Sequence, residues 1–250
     1  MPTNNNTSLV ERLFSAGAHF GFKKSRRHPT VTPYLFTTKD GNDIFDLEKT
    51  TELIESTKEL LKQAGMLGKT VLFVGTKDEA SRIVKNAALK VEAPHVTNRW
   101  IGGMLTNYGE IKKRINRLEA LNNEKESGEL ERKYTKKERV VIDREIDKLT
   151  FNFAGIAKMG KMPDFMLVVD PRHDHVAVRE ARDAKVPVIA IMSSDCDAKQ
   201  ITHPVIANDA LQSSVSMILE ELTAAYAEGK VAYVPKPTVA KDNGLRRRTT

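Results

Sequence analysis

The sequence predicts an α/β protein, a doubly wound parallel sheet interrupted by a helical hairpin. Three observations carry that prediction. Apolar runs at 70–74, 165–169 and 187–191 read as strands buried on both faces, each followed by helical spacing. Between residues 106 and 160, apolar side chains recur at alternating intervals of three and four, the heptad pattern of a two-helix coiled coil. Joining the two is Asn98-Arg99-Trp100-Ile101-Gly102-Gly103-Met104-Leu105-Thr106-Asn107, which holds the only tryptophan and no acid. Its Gly-Gly pair permits a turn that residues with a Cβ resist, so it reads as a hinge.

The elements follow in order. Thr7 or Ser8 can cap a short helix with Leu9, Val10, Leu13 and Phe14 on one side, ending at Ala16-Gly17. Residues 18–29 place Lys23, Lys24, Arg26 and Arg27 among two aromatics and two histidines, in a stretch too broken by Gly and Pro for a helix. A basic loop with interleaved aromatics suits RNA; a solvated charge run is the alternative. Asp40-Gly41 between β-prone runs signals a hairpin. Residues 47–67 form a helix with Leu53, Ile54, Thr57, Leu60, Leu61 and Ala64 on one face, its end loosened by Gly65 and Gly68. After the strand at 70–74, Thr76 and Glu79 fit a capping box for a helix through Ala80, Ile83, Val84 and Ala87. A Gly turn there can hold phosphate on free N–H groups. The spacing, however, matches neither glycine-rich nucleotide motif. His95-Val96-Thr97 is a short strand.

In the insertion, Tyr108, Ile111, Ile115 and Leu118 line the outgoing helix; Ile142, Ile146, Leu149, Phe153 and Ile156 line the return. Ser127-Gly128 marks the turn, and Thr135 with Glu138 forms a capping box. The outer faces mix both signs, with Lys112, Lys113, Arg114 and Arg117 on the way out and Lys136, Lys137, Arg139 and Arg144 on the way back. Mixed charge alone keeps an exposed hairpin soluble, but a projecting arm usually reaches a partner. Beyond it, a helix runs through Val176, Val178, Ala181 and Ala184, residues 201–206 are irregular or a short strand, and Asn208-Asp209 caps a long helix. The division expected is an α/β body at 1–105 and 161–230, a hairpin at 106–160, and a basic, disordered tail at 231–250 carrying Arg246-Arg247-Arg248.

The net charge of +7 favours a polyanionic partner. A lone cysteine, Cys196, excludes an internal disulfide and a cysteine-rich zinc site, and points to a reducing compartment. The polar start shows no signal-like run, and no stretch approaches the ~20 apolar residues of a membrane span. A soluble intracellular protein is expected. Strand ends supply Gly75, Thr76, Asp170, Ser193 and Asp195. Asp170 lacks the acidic pair and lysine of a phosphoacceptor. Asp195, Cys196, Asp197 and His203 match no standard metal spacing. His173 and His175, two apart, point apart on a helix. No nucleophile and base pair stands out, so a binding component is favoured over an enzyme, with no cofactor or metal. A nucleotide- or phosphosugar-binding enzyme and a protein-docking adaptor remain as alternatives.

Several of these stretches also carry a resemblance. Residues 99–107 and Ala16-Gly17-Ala18-His19-Phe20-Gly21 closely resemble signatures of the bacterial ribosomal protein S-two family, the second of the small-subunit series. Val74-Gly75-Thr76-Lys77, Thr135-Lys136-Lys137-Glu138, Pro163-Asp164 and Asn208-Asp209 follow in matching order, so the likeness spans roughly residues 8–230. It implies a flavodoxin-like domain with an inserted coiled-coil hairpin, in a cytoplasmic ribosome component. It implies contact with small-subunit ribosomal RNA between head and body, and with neighbouring proteins including the largest of that subunit, which it helps recruit. Neither a membrane nor a homo-oligomer is implied. The candidate RNA contacts are His19, Lys23, Lys24, Arg26, Arg27, Asn98, Arg99, Trp100, Asn107, Lys112, Lys113, Arg114, Lys136, Lys137 and Arg139, with Trp100 read as packed rather than stacked on a base. The chain departs from the family at Phe22, often histidine, and at Arg27-His28-Pro29, where a Trp-Asn-Pro-like segment is usual. It departs again at 193–198, usually Asp-Thr-Asn-x-Asp-Pro, and at Ile206-Ala207, in place of Pro-Gly.

Overall fold

The computed structural model describes residues 8–233; Thr7 as a cap and the Arg246-Arg247-Arg248 run lie outside them. Helix α1 (Leu9–Ser15) starts at Ser8, whose hydroxyl accepts from the Glu11 amide while the Glu11 carboxylate accepts from the Ser8 amide. Three short strands follow, β1 (Phe20–Lys23), β2 (Leu35–Lys39) and β3 (Asn42–Phe45), antiparallel in the order β1-β3-β2. Asp40 and Gly41, both at positive φ, make the tight turn between β2 and β3. Strand β1 was expected to be a loop. It forms because β3 presents an unpaired edge, a long-range partner that local Gly and Pro punctuation does not reveal.

The main sheet is parallel, in the order β5-β4-β6-β7-β8, from β4 (Val71–Val74), β5 (His95–Val96), β6 (Phe165–Val169), β7 (Val188–Met192) and β8 (His203–Ile206). Its helices are α2 (Leu47–Met66), α3 (Asp78–Lys90), α7 (His175–Asp183) and α8 (Gln212–Val231). Because side chains alternate along a strand, the sheet feeds two separate cores. Val71, Phe73, Leu167, Val169, Ile189 and Ile191 face one, packed under α1, α2, α3 and α8. Leu72, Val74, Met166, Val168, Val188 and Ala190 face the other, under α7 and the hinge. This is the doubly wound, flavodoxin-like arrangement that was predicted.

The second core runs on, unbroken, into the hairpin. Helix α4 (Tyr108–Glu126) goes out, a one-turn helix α5 (Glu129–Lys133) makes the tip, and α6 (Lys136–Phe153) returns. Ile111, Ile115, Leu118 and Leu121 meet Ile146, Leu149 and Phe153 in one narrow seam. Thr135 and Glu138 form the anticipated capping box. The Tyr108 hydroxyl donates to the Met159 carbonyl and closes the base. Helix α5 was not anticipated; its five residues are too few to show a period.

Other local expectations give way to tertiary contacts. Thr76 does not cap α3; its hydroxyl donates to Asp174 at 2.6 Å instead. Asn208 and Asp209 do not cap α8, which starts after Leu211 without a side-chain cap. The Asn208 amide oxygen accepts from Ala210 and Leu211, and Asp209 is buried, accepting from the Ser193 amide. Gly65 does not loosen α2. It sits in a helix crossing where a Cβ would lie 2.7 Å from the Lys230 amide, and one on Gly229 would lie 2.1 Å from the Lys62 carbonyl. Phe14 and Val176, expected on apolar faces, are exposed. α8 runs to Val231, the first residue assigned to the tail.

Candidate nucleic-acid interface

The hinge is organised by a residue to which sequence reasoning gave no role. Glu180, on the buried face of α7, accepts from the Trp100 indole N–H at 3.1 Å, the Gly103 amide at 2.8 Å and the Leu105 amide at 3.1 Å. Thr106 adds longer bonds from its amide and hydroxyl. Burial raises the cost of the Glu180 charge, but these donors more than compensate and hold its carboxyl below the usual range. Gly103 turns the chain at φ 92, bringing both flanks onto one carboxylate. Trp100 is therefore packed, 9% exposed, with its polar edge satisfied inside. A lone glutamate between Arg179 and Ala181 carries no motif; only the apolar stripe around it marks its face as buried.

The basic segment is likewise partly committed to structure. Arg27 makes a two-pronged bond to Asp43, fully buried on β3, and also donates to Thr38. Arg26 lies over the Phe22 ring, 4.4 Å from its centroid, and donates to Asp195 at 3.0 Å. Arg172 reaches the same carboxylate at 2.7 Å. His19 is sandwiched between Phe14 and Phe20, with centroids at 4.5 and 4.0 Å. Burial lowers its pKa, so it is a neutral ring at pH 7 rather than a cation. Lys23 and Lys24 are exposed and in no ion pair among the described residues.

At the hinge and on the hairpin the candidates separate the same way. The Asn98 side-chain amide donates to the Phe151 carbonyl at 2.7 Å, tying the return helix to the body. Asn107 precedes α4 without a side-chain cap bond. Lys113 pairs with Glu110 at 2.5 Å and Arg139 with Glu131 at 3.3 Å. Arg99, Lys112, Arg114, Lys136 and Lys137 are exposed and in no ion pair among the described residues. Among these candidates, the unpaired cations lie on the basic segment, the hinge and the two hairpin helices α4 and α6.

At the strand ends, several polar side chains pair with one another. Lys77 reaches Asp170 at 2.9 Å, Thr76 holds Asp174 through its amide and hydroxyl, and the Ser193 amide holds Asp209. His28 and Phe22 amides donate to Ser194, so the basic segment braces the loop at 193–197. Asp170, Cys196 and Asp209 place one ligand atom each within 4.8 Å of one another, a donor set capable of holding a cation. Of Asp195, Cys196, Asp197 and His203, whose spacing matches no standard site, only Cys196 belongs to this set. Lys77 already puts a positive charge beside it. Burial pushes the Asp209 carboxyl up to about 8, with Asp170 adding to the shift, and pushes the Cys196 thiol up as well, which makes it a poor nucleophile.

Comparison with known proteins is consistent along most of the chain. The family model described as ribosomal protein S2 matches residues 13–229. Among curated relatives, the small ribosomal subunit protein uS2 of Petrotoga mobilis is 40% identical over 221 residues, 88% of this chain and 76% of the relative. That of Sulfurimonas denitrificans is 39% identical over 221 residues, 88% of this chain and 85% of the relative. That of Dictyoglomus thermophilum is 38% identical over 222 residues, covering 89% and 90% of the two chains.

Proposed function

We infer that this chain, which belongs to the ribosomal protein S2 family, works as a non-enzymatic constituent of the small ribosomal subunit in the cytoplasm. The observation that carries this is the family match across residues 13–229, body and hairpin together. The finer reading is that it binds ribosomal RNA between the head and body of the subunit. It also helps recruit the largest small-subunit protein and works as a single copy rather than a homo-oligomer.

In this reading the free cations make the phosphate contacts. Lys23 at the end of β1 and Lys24 in the turn after it, Arg99 at the hinge, and Lys112, Arg114, Lys136 and Lys137 on the hairpin carry affinity and its salt dependence. Arg26 and Arg27 serve chiefly to fix the segment that presents the two lysines, because their guanidiniums are held by Asp195 and Asp43. Specificity then comes from RNA shape, read by a body and a hairpin joined through the Glu180-bonded hinge. The turn after β4, which matches neither glycine-rich nucleotide motif, favours this over the nucleotide-binding enzyme alternative.

Sedimentation tests it. The tagged protein, followed through sucrose gradients of its own cell lysate, is expected to travel with small subunits and whole ribosomes and to loosen as salt rises. Confinement to the top of the gradient at both low and high salt would refute the reading.

A further inference from the structure

A groove crosses the base of the hairpin, where α6 meets the ends of the parallel strands. It has two halves, of 530 and 340 Å³, which share Asn98 and Phe151 as the ridge between them. Each falls within the roughly 300–1,000 Å³ typical of small-ligand sites. Phe151 is 60% exposed, on the side of α6 away from the seam made by Ile146, Leu149 and Phe153. A single exposed aromatic is ordinary on a protein surface. This one is held in place, because Asn98 bonds its backbone carbonyl, and it faces a chemically one-sided surround.

That surround is cationic. Arg99 lines one half and Lys85 the other, both exposed and in no ion pair among the described residues. His173 and His95 lie on the same two sides, and burial lowers the His95 pKa, so the charge on its side comes from Lys85. Among the lining residues the one carboxylate is Asp174, buried and occupied by the Thr76 amide and hydroxyl. Apolar groups, Phe151 with Ala154 and Val176, line the groove together with these cations. A nucleotide finds a flat aromatic face with a cation to either side for the flanking phosphates, the pairing used for unpaired bases.

We propose that Phe151 is a stacking platform for one unpaired nucleotide of the small-subunit RNA, its flanking phosphates met by Arg99 and Lys85. Duplex RNA does not satisfy this site, because a base must leave its stack to reach the ring. The inference rests on the ribosomal reading above and adds a defined, single-stranded contact to it.

The test uses small subunits depleted of this protein and rebuilt with the purified full chain. After irradiation at 254 nm, ribonuclease and trypsin digestion, nucleotide adducts are mapped by mass spectrometry. An adduct is expected on the peptide at 149–158 that holds Phe151. It should persist in Phe151→Tyr and vanish in Phe151→Ala, with affinity for the depleted subunit falling roughly tenfold in the alanine variant. Arg99→Ala should weaken binding while retaining the adduct. Rebinding with no adduct on that peptide, or Phe151→Ala binding as tightly as wild type, overturns the inference and leaves the ribosomal reading standing. Failure of the wild-type chain to rejoin the subunit overturns both.

Discussion

Strands β6 and β7 hide all of their residues, whereas α6, with eighteen, hides only Ile146, Leu149 and Phe153. The body has a core on each face of its sheet; the hairpin has one seam, supplemented at its surface by pairs such as Lys125 with Asp143 and Arg117 with Glu145. Exposed pairs of that kind contribute at most about 1 kcal/mol each. The contrast separates two tasks. The body resists unfolding, and the hairpin holds a surface away from it. Glu180 joins them, because its acceptors fix the hinge from a helix that belongs to the body.

The joint gives the largest expected effect. Glu180→Ala leaves the Trp100, Gly103 and Leu105 N–H groups without their acceptor and should destabilise the protein by about 3–5 kcal/mol in urea denaturation. A small change would mean that body and hairpin do not depend on this carboxylate. Glu180→Gln sharpens the test through pH. The carboxyl is depressed in the fold, so its contribution is present above its ordinary value of 4.5 and is lost as pH falls through the lower folded value. Wild type should therefore lose stability in acid below pH 4.5, and the glutamine variant should lose less over the same window.

Within the body, Gly229→Ala forces α2 and α8 apart, because the new methyl would meet the Lys62 carbonyl. A loss of about 3 kcal/mol is expected, with the whole domain unfolding in a single transition. Leu118→Ala probes the other side of the comparison. It opens the hairpin seam and should cost about 2 kcal/mol, seen as faster amide exchange in α4 and α6 with α2 and α8 still protected. Loss of protection across both regions together would show that the hairpin is not a separable unit. The smallest effect on stability, under about 0.5 kcal/mol, is expected for Lys23→Ala with Lys24→Ala. Their consequence lies in binding, where the slope of log affinity against log salt should fall by about two. An unchanged slope would remove this pair from the RNA surface.

What could be read without coordinates followed from repetition and covalent chemistry. Apolar runs marked the buried strands, heptads marked the hairpin, and Asp-Gly and Thr-x-x-Glu marked a turn and a cap, because each is a preference expressed over a few neighbouring residues. The candidate contacts were legible as residue types, but not their availability. Lysine 23 and arginine 27 look equivalent in sequence, yet Asp43 on a separate strand binds one and not the other. Thr76 offered a good local cap and was taken by Asp174, 98 residues away. Glu180, Gly229 and the Asn98 bond to Phe151 carried no local signal, because their partners lie far along the chain. The sequence by itself determined the main strands and helices and the excess of positive charge, but not β1 or α5. Only the tertiary structure decided which charges remain free and which groups bond the hinge and the hairpin base. A buried polar group must find a partner wherever packing brings one, and that choice is made across the fold rather than along it.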